Sequence, residues 1–135
     1  MWKRNWLDPF PWEMVERLNA ALCQHQNVLH KPTSDGYEPA RSLWETLRGQ
    51  ELTLERALFV AYECHCLAPF CFFNGNTFVA IVRQMIEPIL AQMAPDDPNL
   101  AAQFRSVVGH FVAGTEGIDE LRNAICAMQE RFPEQ

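Results

Sequence analysis

Proline, glycine and capping residues divide this sequence into six segments of helical length, and this spacing constrains the fold most strongly. Segments begin at Asp, Thr, Asn or Pro, which suit the first turn of a helix, and several end at Gly or before Pro. Within each segment, apolar residues recur three or four positions apart, as on one helix face. The predicted helices span residues 8–26, 39–48, 53–66, 76–91, 98–114 and 117–128.

The same pattern predicts an all-α fold. No stretch alternates apolar and polar residues between turn signals, so no strand is expected. Residues 1–135 should form a single compact domain of about six helices, with the widely apolar helix 76–91 at its centre. Residues 1–8 form an aromatic arm that should fold back on the core, with partner binding as the alternative, and residues 130–135 form a polar tail.

Composition excludes several classes of function. The formal net charge of −6 disfavours nucleic-acid binding, which needs clustered Lys and Arg. The longest apolar run, residues 67–73, is too short to cross a bilayer, and no secretory signal is recognisable. Five cysteines, an odd number, fit reduced thiols and a cytoplasmic location. The sequence leaves a homo-oligomer open.

A polar turn followed by a long apolar helix is the first candidate site, in 68-APFCFFNGNTFVAIVRQMI-86. Glycine permits a left-handed backbone, and asparagine tolerates it. Backbone N–H groups at such a turn can bind an anion together with the helix N-terminus. The alternative is an ordinary cap on a buried helix. The predicted ligand-binding residues are Asn74, Gly75, Asn76 and Thr77.

A group of thiols and one imidazole forms a second candidate site: Cys64, His65, Cys66 and Cys71. Such side chains are the usual ligands of zinc. Residues two apart on a helix point in different directions, however, so we predict no metal and treat the cysteines as small buried side chains. A nucleophile pair of Cys71 with His65 or His110 is the alternative.

Residues 70-FCFFNGNTFVA-80 resemble the central motif of the Fic/Doc family, His-Pro-Phe-x-Asp-Gly-Asn-x-Arg-x-Ala. An Ala- and Leu-rich helix precedes this motif in the family, as 53–67 does here, and 107–125 is similar to its C-terminal segment. The resemblance spans about residues 12–128 and implies a Fic-like arrangement around helix 76–91. The matching positions are Phe72, Gly75, Asn76 and Ala80.

The departures from this motif imply a degenerate active site. Phe70 stands at the place of the catalytic histidine, Phe78 at that of the phosphate-binding arginine, and Asn74 at that of the metal-binding acidic residue. Phenylalanine can neither accept a proton nor pair with phosphate. The resemblance therefore implies no transfer activity, no cofactor, and a cleft that Phe70 and Phe78 make apolar.

Three functional hypotheses follow. The first is a non-catalytic Fic-like module that binds or regulates a protein partner and keeps a weak anion or phosphate site at residues 74–77. The second is a transferase-like enzyme in which His65 or Cys71 acts as base or nucleophile. The third is a small helical interaction domain of an unrelated fold.

Overall fold

Six helices and one pair of short strands appear in the computed structural model, which describes residues 2–93 and 95–133. The all-α fold and the single compact domain are confirmed. The helices are α1 (Trp12–His25), α2 (Tyr37–Arg48), α3 (Leu54–Leu67), α4 (Asn74–Met93), α5 (Pro98–Ala113) and α6 (Ile118–Arg131). None of them, within the described residues, is long and apolar enough to cross a membrane.

Local capping signals fix several helix ends as predicted. The Thr53 hydroxyl accepts a hydrogen bond from the Arg56 N–H at 3.1 Å, and the Asp97 carboxylate accepts one from Leu100 N–H at 3.1 Å. Gly114 ends α5 in the left-handed conformation, with φ of 87°. Gly49 ends α2, as glycine often ends a helix, but its φ of −85° lies outside the left-handed region that favours glycine at such positions.

Other helix ends differ from the prediction. Asp8 does not cap α1, because residues 7–10 form a turn in which the Phe10 N–H bonds to the Leu7 carbonyl at 2.9 Å. The helix instead begins at Trp12, directly after Pro11. α4 begins at Asn74, two residues before the predicted start at Asn76.

The N-terminal arm folds back on the domain, as expected. Its strand β1 (Lys3–Arg4) pairs antiparallel with β2 (Leu52–Thr53), and the rings of Trp2 and Trp6 are buried. Strands of two residues are too short for an alternating pattern to reveal, so these were not predicted. Met1 and residues 134–135 of the predicted polar tail lie outside the described residues, and α6 continues into that tail as far as Arg131.

Helices α3 and α4 share the centre of the core. α3 contacts α2, α4, α5 and α6, while α4 packs against α1, α3 and α5. Eight buried residues of α4 provide its inner face: Thr77, Phe78, Ile81, Val82, Met85, Ile86, Ile89 and Leu90. This packing brings the end of α3, the start of α4 and the second half of α5 together.

Candidate functional site

A cleft of about 700 Å³ opens where α3 ends, α4 begins and α5 passes beside them. The end of α3 contributes His65, the first turns of α4 contribute residues 74–76 and Arg83, and α5 contributes Gly109 and His110. A cavity of this size is in the range of small-molecule sites. The cleft therefore borders the predicted anion site directly.

Three of the four predicted ligand-binding residues line this cleft: Asn74, Gly75 and Asn76. Thr77 does not, because its side chain is fully buried in the core. Its hydroxyl donates to the Phe73 carbonyl at 2.7 Å, and its N–H donates to the same oxygen at 2.9 Å. Thr77 is thus a structural residue of the first helical turn, and its place in the predicted site is corrected.

The first turn of α4 presents backbone donors to the cleft. The N–H groups of Asn74, Gly75 and Asn76 have no acceptor among the described residues, as is usual at a helix start. The Asn74 side chain is not free, since its amide accepts from the Phe70 N–H at 2.9 Å and donates to the Phe70 carbonyl at 2.7 Å. Three open donors therefore remain at the positive end of a 20-residue helix.

His65 packs on this first turn with a defined proton position. Its Nδ1 lies 2.9 Å from the carbonyl oxygen of Val112, and because a carbonyl only accepts, Nδ1 must carry the proton. In the neutral ring, Nε2 then has the free lone pair. Nε2 would be 3.3 Å from a Cβ added at Gly75, so the imidazole lies directly against α4.

This contact changes the interpretation of Gly75. Glycine permits a left-handed backbone, but no positive φ occurs at Gly75. The left-handed residue is Phe73, with φ of 61°, immediately before the helix. Gly75 is instead a point of close approach, because any larger residue would press on the His65 ring.

Arg83 supplies a cation from two turns further along α4. Its guanidinium lies over α5, with Nη2 3.0 Å from a Cβ added at Gly109. The exposed side chain forms no ion pair or hydrogen bond with any described residue. Seven positions separate Arg83 from Asn76, so helical spacing places both on one face, and this signal was available in the sequence.

The charge of the cleft opposes that of the whole chain. The sequence has 17 Asp and Glu and a net charge of −6. Yet no Asp or Glu lines the cleft in the described part of the chain, whereas Arg83, His65 and His110 do. Arg83 and the N-terminus of α4 are therefore the positive groups beside the cleft.

Phe70 and Phe78 do not line the cleft, so the expectation that they make it apolar is wrong. Both rings are buried in the core. Phe70 stacks on Trp12 with centroids 5.9 Å apart, and Phe78 lies 5.7 Å from Trp44. They belong to the aromatic core beneath the start of α4 and leave the cleft wall at the helix N-terminus to polar groups.

The cysteines and His65 do not form one site. Cys64 is buried, and desolvation raises the pKa of its thiol to about 12. Cys66 is exposed, and Cys71 lies in a separate depression with Lys31 and Ser34. In residues 2–93 and 95–133, no group of three or more His, Cys, Asp and Glu side chains is placed to hold a metal ion.

Asn19 is a structural determinant of the site that the sequence analysis missed. Its fully buried amide donates to the Phe72 carbonyl at 2.7 Å and to the Thr77 hydroxyl at 3.1 Å. Its oxygen lies 2.7 Å from Nδ1 of His30. The amide therefore ties α1 to the loop before α4. A polar residue four positions after Val15, on the apolar face of α1, was the available signal.

Fold and cleft together define an all-α domain with a cleft at the start of its longest described helix, and none of the described residues lining that cleft is acidic. No family model matches the chain, and comparisons with curated proteins and with solved structures find no significant match. The similarity of residues 70–80 to the Fic/Doc motif, and the Fic-like arrangement of the helices, stay predictions.

Proposed function

We propose that this protein is a helical binding module whose cleft holds an anionic group of the phosphate type. The observation that carries the proposal is the composition of the cleft wall. Among the described residues it combines three open N–H groups and the guanidinium of Arg83, without a carboxylate, in a chain of net charge −6. Backbone donors and guanidinium are the groups that proteins use to bind oxyanions.

The expected affinity is modest for a small ion. The helix N-terminus contributes about half a positive charge, and Arg83 contributes a full charge that is exposed to water. Association also costs translational and rotational entropy. We therefore expect a dissociation constant of about 1 mM for inorganic phosphate. A larger ligand that fills the cleft of about 700 Å³ would bind more tightly.

A matched pair of arginine variants tests the proposal. Arg83→Gln removes the guanidinium of the cleft, whereas Arg105→Gln removes an exposed one on α5 that pairs with Glu87 at 3.4 Å. Each variant removes one positive charge, so the net charge of the chain changes equally in both. Phosphate affinity, measured by titration calorimetry, should fall about tenfold in Arg83→Gln and less than twofold in Arg105→Gln. Equal effects would contradict a site in the cleft.

The proposal agrees with the non-catalytic role predicted from Phe70 and Phe78. A regulatory role towards a protein partner remains compatible with it, because phosphoryl and carboxylate groups also occur on proteins. The transferase-like alternative depends on His65 alone, since Cys71 does not line the cleft.

A further inference from the structure

We infer that the cleft prefers an oxyanion that offers an O–H group to one that has none, and that His65 makes this selection. The ligand class would be hydrogen phosphate, or an anionic group with a hydroxyl beside it. This inference rests on the proposed function, because it concerns which anion occupies the same cleft. Its basis is the fixed proton on His65 and the lack of a carboxylate among the described residues that line the cleft.

The anion-binding groups of the cleft are otherwise donors. Backbone N–H groups of residues 74–76 and the guanidinium of Arg83 can only donate. The Asn74 amide is fully engaged by the backbone of Phe70. Asn76 is exposed, and its amide can turn to present either its oxygen or its nitrogen. A permanent acceptor must come from elsewhere.

His65 provides that acceptor because its two ring nitrogens cannot exchange the roles of donor and acceptor. If Nδ1 lost its proton, its lone pair would face the Val112 carbonyl oxygen at 2.9 Å, and two acceptors would oppose each other. The neutral ring therefore keeps Nδ1 protonated and Nε2 unprotonated. Nε2 contacts Gly75 within the turn that carries the open N–H groups. An anion on those groups thus lies beside a proton acceptor.

Hydrogen phosphate and sulfate distinguish an anion that can donate a proton to Nε2 from one that can only accept hydrogen bonds. At about pH 8 both occur mainly as tetrahedral dianions, but only hydrogen phosphate carries a proton. It can donate that proton to Nε2 while its other oxygens accept from N–H groups and Arg83. Sulfate would place an oxygen lone pair against the Nε2 lone pair. Because one hydrogen bond is gained or lost, we expect phosphate to bind about tenfold more tightly.

The test is a titration of the full chain with inorganic phosphate and with sulfate, at equal ionic strength and at about pH 8, where imidazole side chains are neutral. Wild type should bind phosphate about tenfold more tightly than sulfate. In His65→Leu the ratio should fall to about one while sulfate binding persists, because the N–H donors and Arg83 remain. His65→Gln, whose amide can again donate to Val112 and accept from the ligand, should restore part of the preference.

His110→Leu is the matched control. His110 lines the same cleft but is exposed, and its Nδ1 lies 2.9 Å from the Thr115 hydroxyl rather than against α4. Its removal should leave the phosphate-to-sulfate ratio unchanged. A wild-type ratio near one, or an unchanged ratio in both His65 variants, would overturn the inference and leave the anion site intact. Failure of both ions to bind wild type would overturn the proposed function itself.

Discussion

The imidazole of His65 lies directly against Gly75, with Nε2 3.3 Å from the place that a Cβ would take at position 75. The contact joins the end of α3 to the first turn of α4. It places a proton acceptor beside open backbone donors, and it leaves little space for a side chain at position 75.

Gly75→Ala should weaken phosphate binding without unfolding the protein. An added methyl group must displace the His65 ring by a few tenths of an ångström and enters the cleft lining. Alanine also favours a helix over glycine, by up to about 1 kcal/mol, so the melting temperature should hold or rise. We expect phosphate affinity to fall about threefold by calorimetry, in keeping with the loss of part of one hydrogen bond. The control is Gly49→Ala, since a Cβ at Gly49 meets nothing within 4 Å. Undiminished phosphate binding by Gly75→Ala would show that the His65 contact is unimportant.

Asn19→Ala should destabilise the fold by about 3 kcal/mol, because it removes one hydrogen bond from a buried hydroxyl and one from each of two partly buried groups. The Phe72 carbonyl and the Thr77 hydroxyl lose a donor, and His30 loses its acceptor. Urea unfolding measures this loss. Asn123→Ala, an exposed substitution on α6, should change stability by less than about 0.5 kcal/mol. Similar small effects in both variants would argue that the buried amide adds little.

Ala68→Gly should stabilise the protein by about 1 kcal/mol, because alanine there holds a left-handed backbone with φ of 52°. Glycine adopts this conformation without a steric cost. The same change at Ala102, exposed within α5, should destabilise by about 1 kcal/mol. Thermal unfolding of both variants gives the comparison. If both variants were destabilised, the left-handed backbone of Ala68 would not be a source of strain.

Stability at alkaline pH should depend on Cys64. Burial raises the pKa of this thiol from 9.0 to about 12. Below pH 9 the thiol is protonated in both states, so its contribution to stability is fully present. As pH rises from 9 towards 12, the unfolded chain loses the proton and the folded chain retains it, so stability falls.

The free energy of unfolding should fall by about 1.4 kcal/mol per pH unit within that window. Urea unfolding at about pH 9.5 and 10.5 should therefore show a loss in wild type that Cys64→Ala lacks. Cys126→Ala, which removes an exposed thiol on α6, should behave like wild type. An identical loss in wild type and Cys64→Ala would exclude Cys64 as its source.

The helices were predictable because their signals are local. Thr53, Asp97 and Gly114 cap helices through contacts with residues three or four positions away, and such contacts can be read from the sequence. The prediction from Asp8 failed because Asp is a common capping residue, but the residues that follow it here are not helical. The pair of two-residue strands depends on contact between distant segments, which no local pattern contains.

The site was only partly predictable. Gly75 and Asn76 were identified from the sequence. The left-handed backbone that glycine permits does not occur at Gly75; instead His65 of α3 lies close to it, and this neighbour could not be known from the sequence. Thr77 is a residue type that often binds ligands, but its side chain faces the core. The helix begins two residues earlier than expected, which places Thr77 within its first turn. Arg83 meets His65 in one cleft only through the packing of α3, α4 and α5, which is a property of the tertiary structure.

The most direct test of the anion site is to follow the backbone amide resonances by ¹⁵N NMR while inorganic phosphate is added at constant ionic strength. We predict that the resonances of Gly75 and Asn76 shift saturably, with half the change at about 1 mM, while that of Gly49 does not move. Unchanged Gly75 and Asn76 resonances at about ten times that concentration, or shifts confined to residues outside the cleft, would contradict it.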